Sequence, residues 1–370
     1  MNKSERMLRR KELPMKHRTA LFCSTAVAVL LLVTASALPA FAGGENRAGT
    51  NAAPELLIPV GARDIAVGGS MIATTSGIEA IFWNPAGLAR TKFSSDAMFS
   101  YMNYIADIGI DYFAIGATFE GFGSLGLSMK SVGIGEINVT TEDQPDGTGQ
   151  KFTPSVFNMG LTYSRMLTDR ISVGATATLI SERFDRVSAT GFAVSAGVQY
   201  VGLAGFSGLS IGVAVKNIGP QMKFDGDGLL RQGNVDDVLR PGSFYKVSAA
   251  SFELPSTIEF GVSYAYTPAE MNVFNFHGVF QSNNFMGDEY KLGLEYGYDN
   301  TFFVRGGYNI SENMKDNSSQ LSDNNIYIFG FTAGAGVHYP LGSLDLTFDY
   351  AFRAVKFLEN NHVFSLKVGL

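Results

Sequence analysis

Cysteine is all but missing: Cys23 is the single one among 370 residues. It lies inside an apolar run near the start, so a chain processed after that run carries no thiol. Disulfides, thiol nucleophiles and cysteine-ligated metals are then excluded together, in keeping with export to an oxidising compartment. Histidine is scarce, and His277, His338 and His362 stand far apart with no H-x-x-x-H spacing. They are expected to line strand faces and not to hold a metal. No G-x-S-x-G occurs, and neither a cofactor nor catalysis is expected. Tryptophan occurs once, at Trp83. After residue 42 no run approaches the ~20 apolar residues of a spanning helix.

Positive charge is also short, and much of it sits at the front. "MNKSERMLRRKELPMKHR" carries seven Lys/Arg against two Glu and is followed by the uncharged run "TALFCSTAVAVLLLVTASALPAFA". A basic front, an apolar centre and Ala40-Phe41-Ala42 predict a signal peptide over 1–42, cut near Ala42. An uncleaved anchor is the competing reading, because the run is long enough to span a bilayer. Cys23 follows the bulky Phe22 within the run, which argues against a lipoprotein. Without the leader 21 basic residues face 32 acidic ones, a net charge of −11. Nothing remains to bind nucleic acid.

What the chain does have is glycine, 42 residues of it, and alternation. In "LDLTFDYAF", Leu344, Leu346, Phe348, Tyr350 and Phe352 share one face, against Asp345, Thr347, Asp349 and Ala351. "YKLGLEYGY" and "STIEFGVSYAY" repeat the scheme. Strict period two predicts strands with one apolar face. Fourteen such segments start near residues 96, 110, 124, 151, 170, 190, 208, 255, 270, 288, 301, 325, 343 and 361. Several run about ten residues, enough for a tilted strand to cross a bilayer.

Connections after even-numbered segments are short, and those after odd-numbered segments are expected to be mostly longer and polar. Examples of the latter are "TTEDQPDGTGQ", "SENMKDNSSQLSDNN" and the stretch 219–254. That asymmetry describes short periplasmic turns and longer outer loops. Lys130, Lys216, Lys291, Arg305, Glu259, Glu295, Asp345 and Asp349 all fall on the small-residue face. A Lys or Arg facing lipid at mid-membrane costs about 2–4 kcal/mol, so that face must look inward. With no spanning helix left, a closed barrel is the architecture that satisfies the backbone in lipid. The expected fold is an all-β transmembrane antiparallel barrel of about 14 strands over 96–370, in contact with outer-membrane lipids. A soluble secreted β-protein is the alternative.

Fourteen strands enclose more space than wall side chains fill, and residues 43–95 are expected to form a short helical hatch in the lumen. Ser76 and Glu79 read as a capping box opening a helix through Ile78, Ile81 and Phe82. Pro85 ends it at Asn84, which is placed to cap a second turn. Trp83, Asn84, Pro85, Ala86 and Gly87 therefore form a helix–kink–helix corner, with Trp83 free to pack on the wall. Lys130, Lys216, Glu259, Lys291, Glu295 and Arg305 are candidates for holding the hatch, against the plainer reading that a polar lumen solvates them. "GFGSLG" at 121–126 matches a dinucleotide fingerprint, but a strand follows it where the fingerprint needs a helix.

The stretch "LLIPVGARDIAVGGSMIATTSGIEAIFWNPAGLA" resembles the N-terminal signature of the PorV/PorQ family of outer-membrane proteins. The matching positions are Pro59, Gly61, Ala62, Arg63, Gly68, Gly69, Trp83, Asn84, Pro85, Ala86 and Gly87. That family is similar to FadL-type transporters, whose hatch also carries an Asn-Pro-Ala motif. The resemblance implies a fourteen-stranded barrel with an N-terminal hatch in a Gram-negative-type outer membrane. It further implies a non-catalytic component that binds and shuttles secreted cargo proteins toward type IX secretion machinery. The FadL side of the resemblance implies instead a channel for a hydrophobic small molecule. A mainly structural membrane protein is the third possibility.

Overall fold

The computed structural model describes Arg47 and residues 49–233, 243–311 and 327–370. The predicted leader and its cleavage point at Ala42 lie outside the described residues. Fourteen antiparallel strands close into one barrel. They are β1 Ser95–Asn103, β2 Gly109–Phe119, β3 Gly123–Gly133, β4 Ser155–Met166, β5 Ile171–Phe184, β6 Val187–Val201 and β7 Leu209–Ile218. The second half comprises β8 Thr257–Ala269, β9 Asn272–Asn283, β10 Glu289–Tyr298, β11 Phe302–Ser311, β12 Phe329–Leu341, β13 Leu344–Val355 and β14 Asn361–Gly369. Closure joins β1 to β14, with Tyr101 opposite Phe364. The last carbonyl, of Leu370, accepts from the N–H of Ser94 at 2.8 Å.

Burial is inverted relative to a soluble sheet, and this identifies the solvent. On β8 the buried face is Thr257, Glu259, Gly261 and Ser263, while Ile258 and Phe260 point outward. Phe260 is 52 % exposed and Glu259 only 3 %. Phe99, Phe113, Leu127, Leu161, Leu292, Phe348 and Leu366 continue the outward apolar band. Only lipid makes such a surface favourable over a wall whose inner face is polar. No helix of the described residues is long and apolar enough to cross a membrane.

The observed strand starts lie within a few residues of those expected. The fourth begins at Ser155 and not at 151, because Lys151–Phe152 pairs with Ile137–Asn138 inside the loop and Pro154 interrupts the run. Loop parity is weaker than expected. Turns after even strands are short, but after odd strands only 134–154, 219–256 and 312–328 are long. β5 and β6 are joined by Asp185 and Arg186 alone, because their alternation runs on to Phe184 and resumes at Val187. Asp185 supplies the left-handed turn residue, at φ 51°, a conformation Asp tolerates. "GFGSLG" is a turn leading into β3, with Gly121 at φ 75° and Gly123 at φ 122°.

The segment before β1 fills the lumen as a chain of single turns. A 3-10 turn at Pro54–Leu57 is followed by α1 at Ala62–Ala66, and a second 3-10 turn at Gly77–Glu79 runs into α2 at Ala80–Trp83. A third 3-10 turn spans Pro85–Arg90. These elements are too short to be stable alone, and burial holds them: Ala62, Ala66, Val67, Ile72, Ala80, Ala86 and Leu88 are fully inaccessible. α1 lies on β11 to β14, and the Pro85–Arg90 turn lies on β3 to β6. The plug therefore bridges opposite sides of the wall.

A candidate functional site at the plug–wall junction

Asn84 is the centre of the corner. Its Oδ1 accepts from the N–H of Ala86 at 3.2 Å, the capping bond expected of it, with Pro85 as the first residue of the turn. Its Nδ2 donates to the Ile72 carbonyl at 2.8 Å and reaches the wall carbonyl of Val198 at 3.3 Å. Gln199 on β6 donates to the Ile72 and Thr75 carbonyls at 3.0 and 2.9 Å. Ser164 on β4 donates to the Ala86 carbonyl at 3.0 Å. Wall glycines make this closeness possible: a Cβ on Gly174 would lie 2.4 Å from the Pro85 carbonyl, and one on Gly212 2.5 Å from that of Ile72. Gly87 itself packs onto the Thr75 carbonyl, where a Cβ would stand 2.1 Å away.

Two expectations about the corner are corrected. Ser76 makes no side-chain cap; Asp96 at the start of β1 accepts from the Ile78 N–H at 3.0 Å instead. Glu79 is drawn away from the cap to Lys367 and Arg63, at 3.0 and 3.4 Å. Trp83 is held from both the plug and the wall. Its Nε1 donates to the Val60 carbonyl at 3.0 Å, and its ring lies against Gly69. From the wall it meets the Lys216 ammonium, 5.4 Å from the ring centre.

The upstream signature residues shape α1. Gly61 at φ 84° opens it, and Gly68 and Gly69, at φ 71° and 73°, turn the chain after it. Three such backbones in one short stretch explain the glycines. Ala62 donates its N–H to Ser365 on β14 at 2.8 Å, and the Ala66 carbonyl accepts from Thr332 on β12 at 3.0 Å. Pro59 is half-buried, next to Val60. Arg63 lies between Glu79 and Glu295, at 3.4 and 3.6 Å.

The six wall charges divide into two groups. Lys130 donates to the plug carbonyls of Glu55 and Ile58 at 2.7 and 3.0 Å. Lys216 faces the rings of Phe82 and Trp83, and Glu295 meets Arg63. The other three pair along the wall. Glu259 holds Lys216 at 2.9 Å, Lys291 meets Glu289 and Gln281, and Arg305 binds Glu295 and Asp349 at 2.6 and 2.7 Å. The histidines do not meet one another: His277 pairs with Ser263, His338 with Asp345, and His362 with Tyr350.

Residues 41–270 match the family described as type IX secretion system protein PorV. The chain belongs to the PorV family. The match takes in the plug and strands β1 to β8. Among solved structures the chain is similar to "CymD monoaromatic hydrocarbon channel", with 13 % identity, TM-score 0.51, and 84 % of this chain and 97 % of that one covered. It is also similar to a TodX monoaromatic hydrocarbon channel mutant, at 14 %, 0.50, 84 % and 98 %. A Pseudomonas aeruginosa FadL homologue aligns at 12 %, 0.47, 84 % and 98 %. No curated protein sequence matches.

Within this PorV-family barrel, several junction groups escaped the sequence reading. Lys367 sits on the inner face of "FSLKVGL", where alternation alone marks it. Gln199 is likewise an inward polar residue on β6. Glu55 and Asp64 lie in turns of the plug with no periodic signal. Burial raises the carboxyl of Glu55 above the usual range. Burial, then Glu79, pushes Asp64 up to about 7, against the pull of Arg63 and Lys367.

Two spaces flank the plug. On the long-loop side is a cavity of about 70 Å³, whose lining includes Leu56, Phe82, Tyr112, Lys130, Asn158 and Lys216. On the short-turn side a cleft of about 560 Å³ reaches down to Arg63, Glu295 and Lys367 between Phe93 and Phe303.

Proposed function

We propose that this PorV-family barrel binds exported proteins at the outer membrane and passes them to surface secretion machinery in a type IX-like pathway. The observation that carries the reading is the family match over the plug and eight strands. The seated plug supports it: the cavity on its outer side, about 70 Å³, is half the ~150 Å³ that accommodates benzene. That side of the lumen suits a closed docking body better than a resting channel. The loop between β7 and β8 adds a hairpin, Leu230–Gly233 with Ser243–Lys246, that exposes Phe244 and Tyr245.

The second reading, uptake of a hydrophobic small molecule, is favoured by the fold shared with the CymD channel and by Leu56, Ile81 and Phe82 in the cavity lining. One experiment separates the two. The tagged barrel is recovered from outer membranes, and both proteins and small molecules bound to it are identified by mass spectrometry. In parallel, exported proteins are compared in cells with and without its gene. Bound exported proteins, and their retention in deleted cells, support the first reading. A hydrophobic ligand with slowed uptake supports the second. Recovery in the soluble periplasmic fraction defeats both.

A further inference from the structure

The junction between α1 and the wall of β10 to β14 has an odd charge count. Four carboxylates meet there: Asp64 and Glu79 from the plug, Glu295 and Asp349 from the wall. Three cations answer them: Arg63 from the plug, Arg305 and Lys367 from the wall. Glu79, Glu295 and Asp349 each lie within 4 Å of two of these cations. Asp64 is in no ion pair, is fully buried, and neither of its oxygens has a hydrogen-bond partner. An ionised carboxylate left alone in such a place costs several kcal/mol and takes up a proton instead.

We propose that this junction is a proton-operated latch. One proton, held on the Asp64 carboxyl, keeps the plug docked, and its loss loosens the Arg63–Glu295 and Lys367–Glu79 contacts that tie plug to wall. The charges facing Asp64 set the direction. Glu79 in the plug opposes its ionisation, while Arg63 beside it and Lys367 on β14 favour it. Lys216 on β7 also faces it but is held by Glu259. Beyond this shell, Asp96 on β1 faces Glu79, and His277 on β9 faces Glu295 and Arg63.

Once ionised, Asp64 competes with Glu295 for the Arg63 guanidinium, the cation that joins α1 to β10. It also repels Glu79, which Lys367 must then hold alone. Both effects weaken attachment at the same end of the plug. Asp64 titrates near 7 when docked and in the ordinary carboxylate range when the plug is released into water. Docking is therefore strongest in acid, weakens as the pH rises toward 7, and levels off above it. An outer-membrane plug meets the pH of the medium directly, so the latch would report that pH.

The test uses the full chain carrying Cys23→Ser in lipid vesicles, with Ser70→Cys as the reporter, so that the reporter is its only thiol. Ser70 is fully buried in the plug. Its alkylation rate is divided by that of the unfolded chain at each pH, which removes the thiol's own ionisation. The normalised rate is expected to rise tenfold or more between pH 5 and pH 8 and to be flat above pH 7. In Asp64→Asn it should stay at the low-pH value throughout. Asp64→Leu, which is also uncharged, serves if the Asn variant is not recovered as a heat-modifiable barrel. A rise below tenfold, or an equal rise without the Asp64 carboxyl, overturns the latch.

Discussion

Gly197 on β6 faces Asn84 so closely that a Cβ added to the glycine would stand 1.9 Å from Asn84 Oδ1. The contact joins the wall to the one plug side chain that both caps its own turn and reaches a strand carbonyl. Its closeness makes the glycine as much a part of the motif as the asparagine. Gly197→Ala is therefore expected to push Asn84 off its capping position while leaving the β6 backbone unstrained. Overpacking of this kind costs typically 1–3 kcal/mol. Hydrogen exchange at Ala86 and Gly87 should rise, while the barrel still migrates as a folded, heat-modifiable band. Exchange unchanged from the parent chain would show that the contact relaxes freely.

Substituting Asn84 itself separates its two roles. Asn84→Asp keeps an oxygen for the Ala86 N–H but loses the donor to the Ile72 carbonyl. Asn84→Ala loses both. A lost cap costs about 1 kcal/mol, while the Ile72 carbonyl still accepts from Gln199 at 3.0 Å; a buried carboxylate facing the Ile72 and Val198 carbonyls costs several kcal/mol or takes up a proton. The expected order of plug protection, measured by limited proteolysis after reconstitution, is parent, then Ala, then Asp. Barrel insertion should persist in both, with export or uptake altered. Failure of insertion in both would make the corner a folding element only.

How much of this was legible in the sequence depends on periodicity. Strands β8, β10 and β13 were readable because Ile258, Leu292 and Phe348 alternate with Glu259, Lys291 and Asp349, and lipid outside and charge inside demand that alternation. The Asn84–Pro85 corner was readable because both residues suit one backbone geometry. The capping role of Ser76 was misread because Asp96, a neighbour only in space, takes over the Ile78 N–H. The charge partners were hidden for a related reason. Whether Lys291 meets the plug or Glu289 depends on how far the plug extends around the lumen, and no local pattern encodes that. Asp64 carries no signal at all, since a single acidic residue in a five-residue helix looks solvated until the fold buries it.

The inverted burial predicts opposite responses on the two faces of one strand. Phe260→Lys places a cation in the lipid-facing band of β8, at a cost of about 2–4 kcal/mol near the midplane. Ser263→Ala, on the inner face, removes only one hydrogen bond, to His277, worth about 1 kcal/mol. Denaturant titrations of refolding into vesicles should show the first variant destabilised well beyond the second. Equal effects would place Phe260 away from lipid.

Lys130 offers a test of how the outer arm of the plug is held. Its ammonium is the donor for two plug carbonyls, Glu55 and Ile58, and it stands 4.9 Å from the Phe82 ring centre. Lys130→Met keeps the length of the side chain and removes the charge, so packing against Phe82 survives while the Ile58 carbonyl loses its partner and the Glu55 carbonyl keeps only the Ile58 N–H, at 3.1 Å. Burying an ammonium carries its own desolvation cost, which offsets part of the loss for the whole protein. The local effect has no such offset. Amide exchange at Leu56 and Ile58 should quicken by roughly ten-fold or more, as 1–3 kcal/mol per unsatisfied carbonyl requires. Exchange in β3 should stay as it was, because the Lys130 backbone remains paired with Asn158. If β3 opens together with the arm, Lys130 supports the wall as well as the plug, and the two cannot move independently.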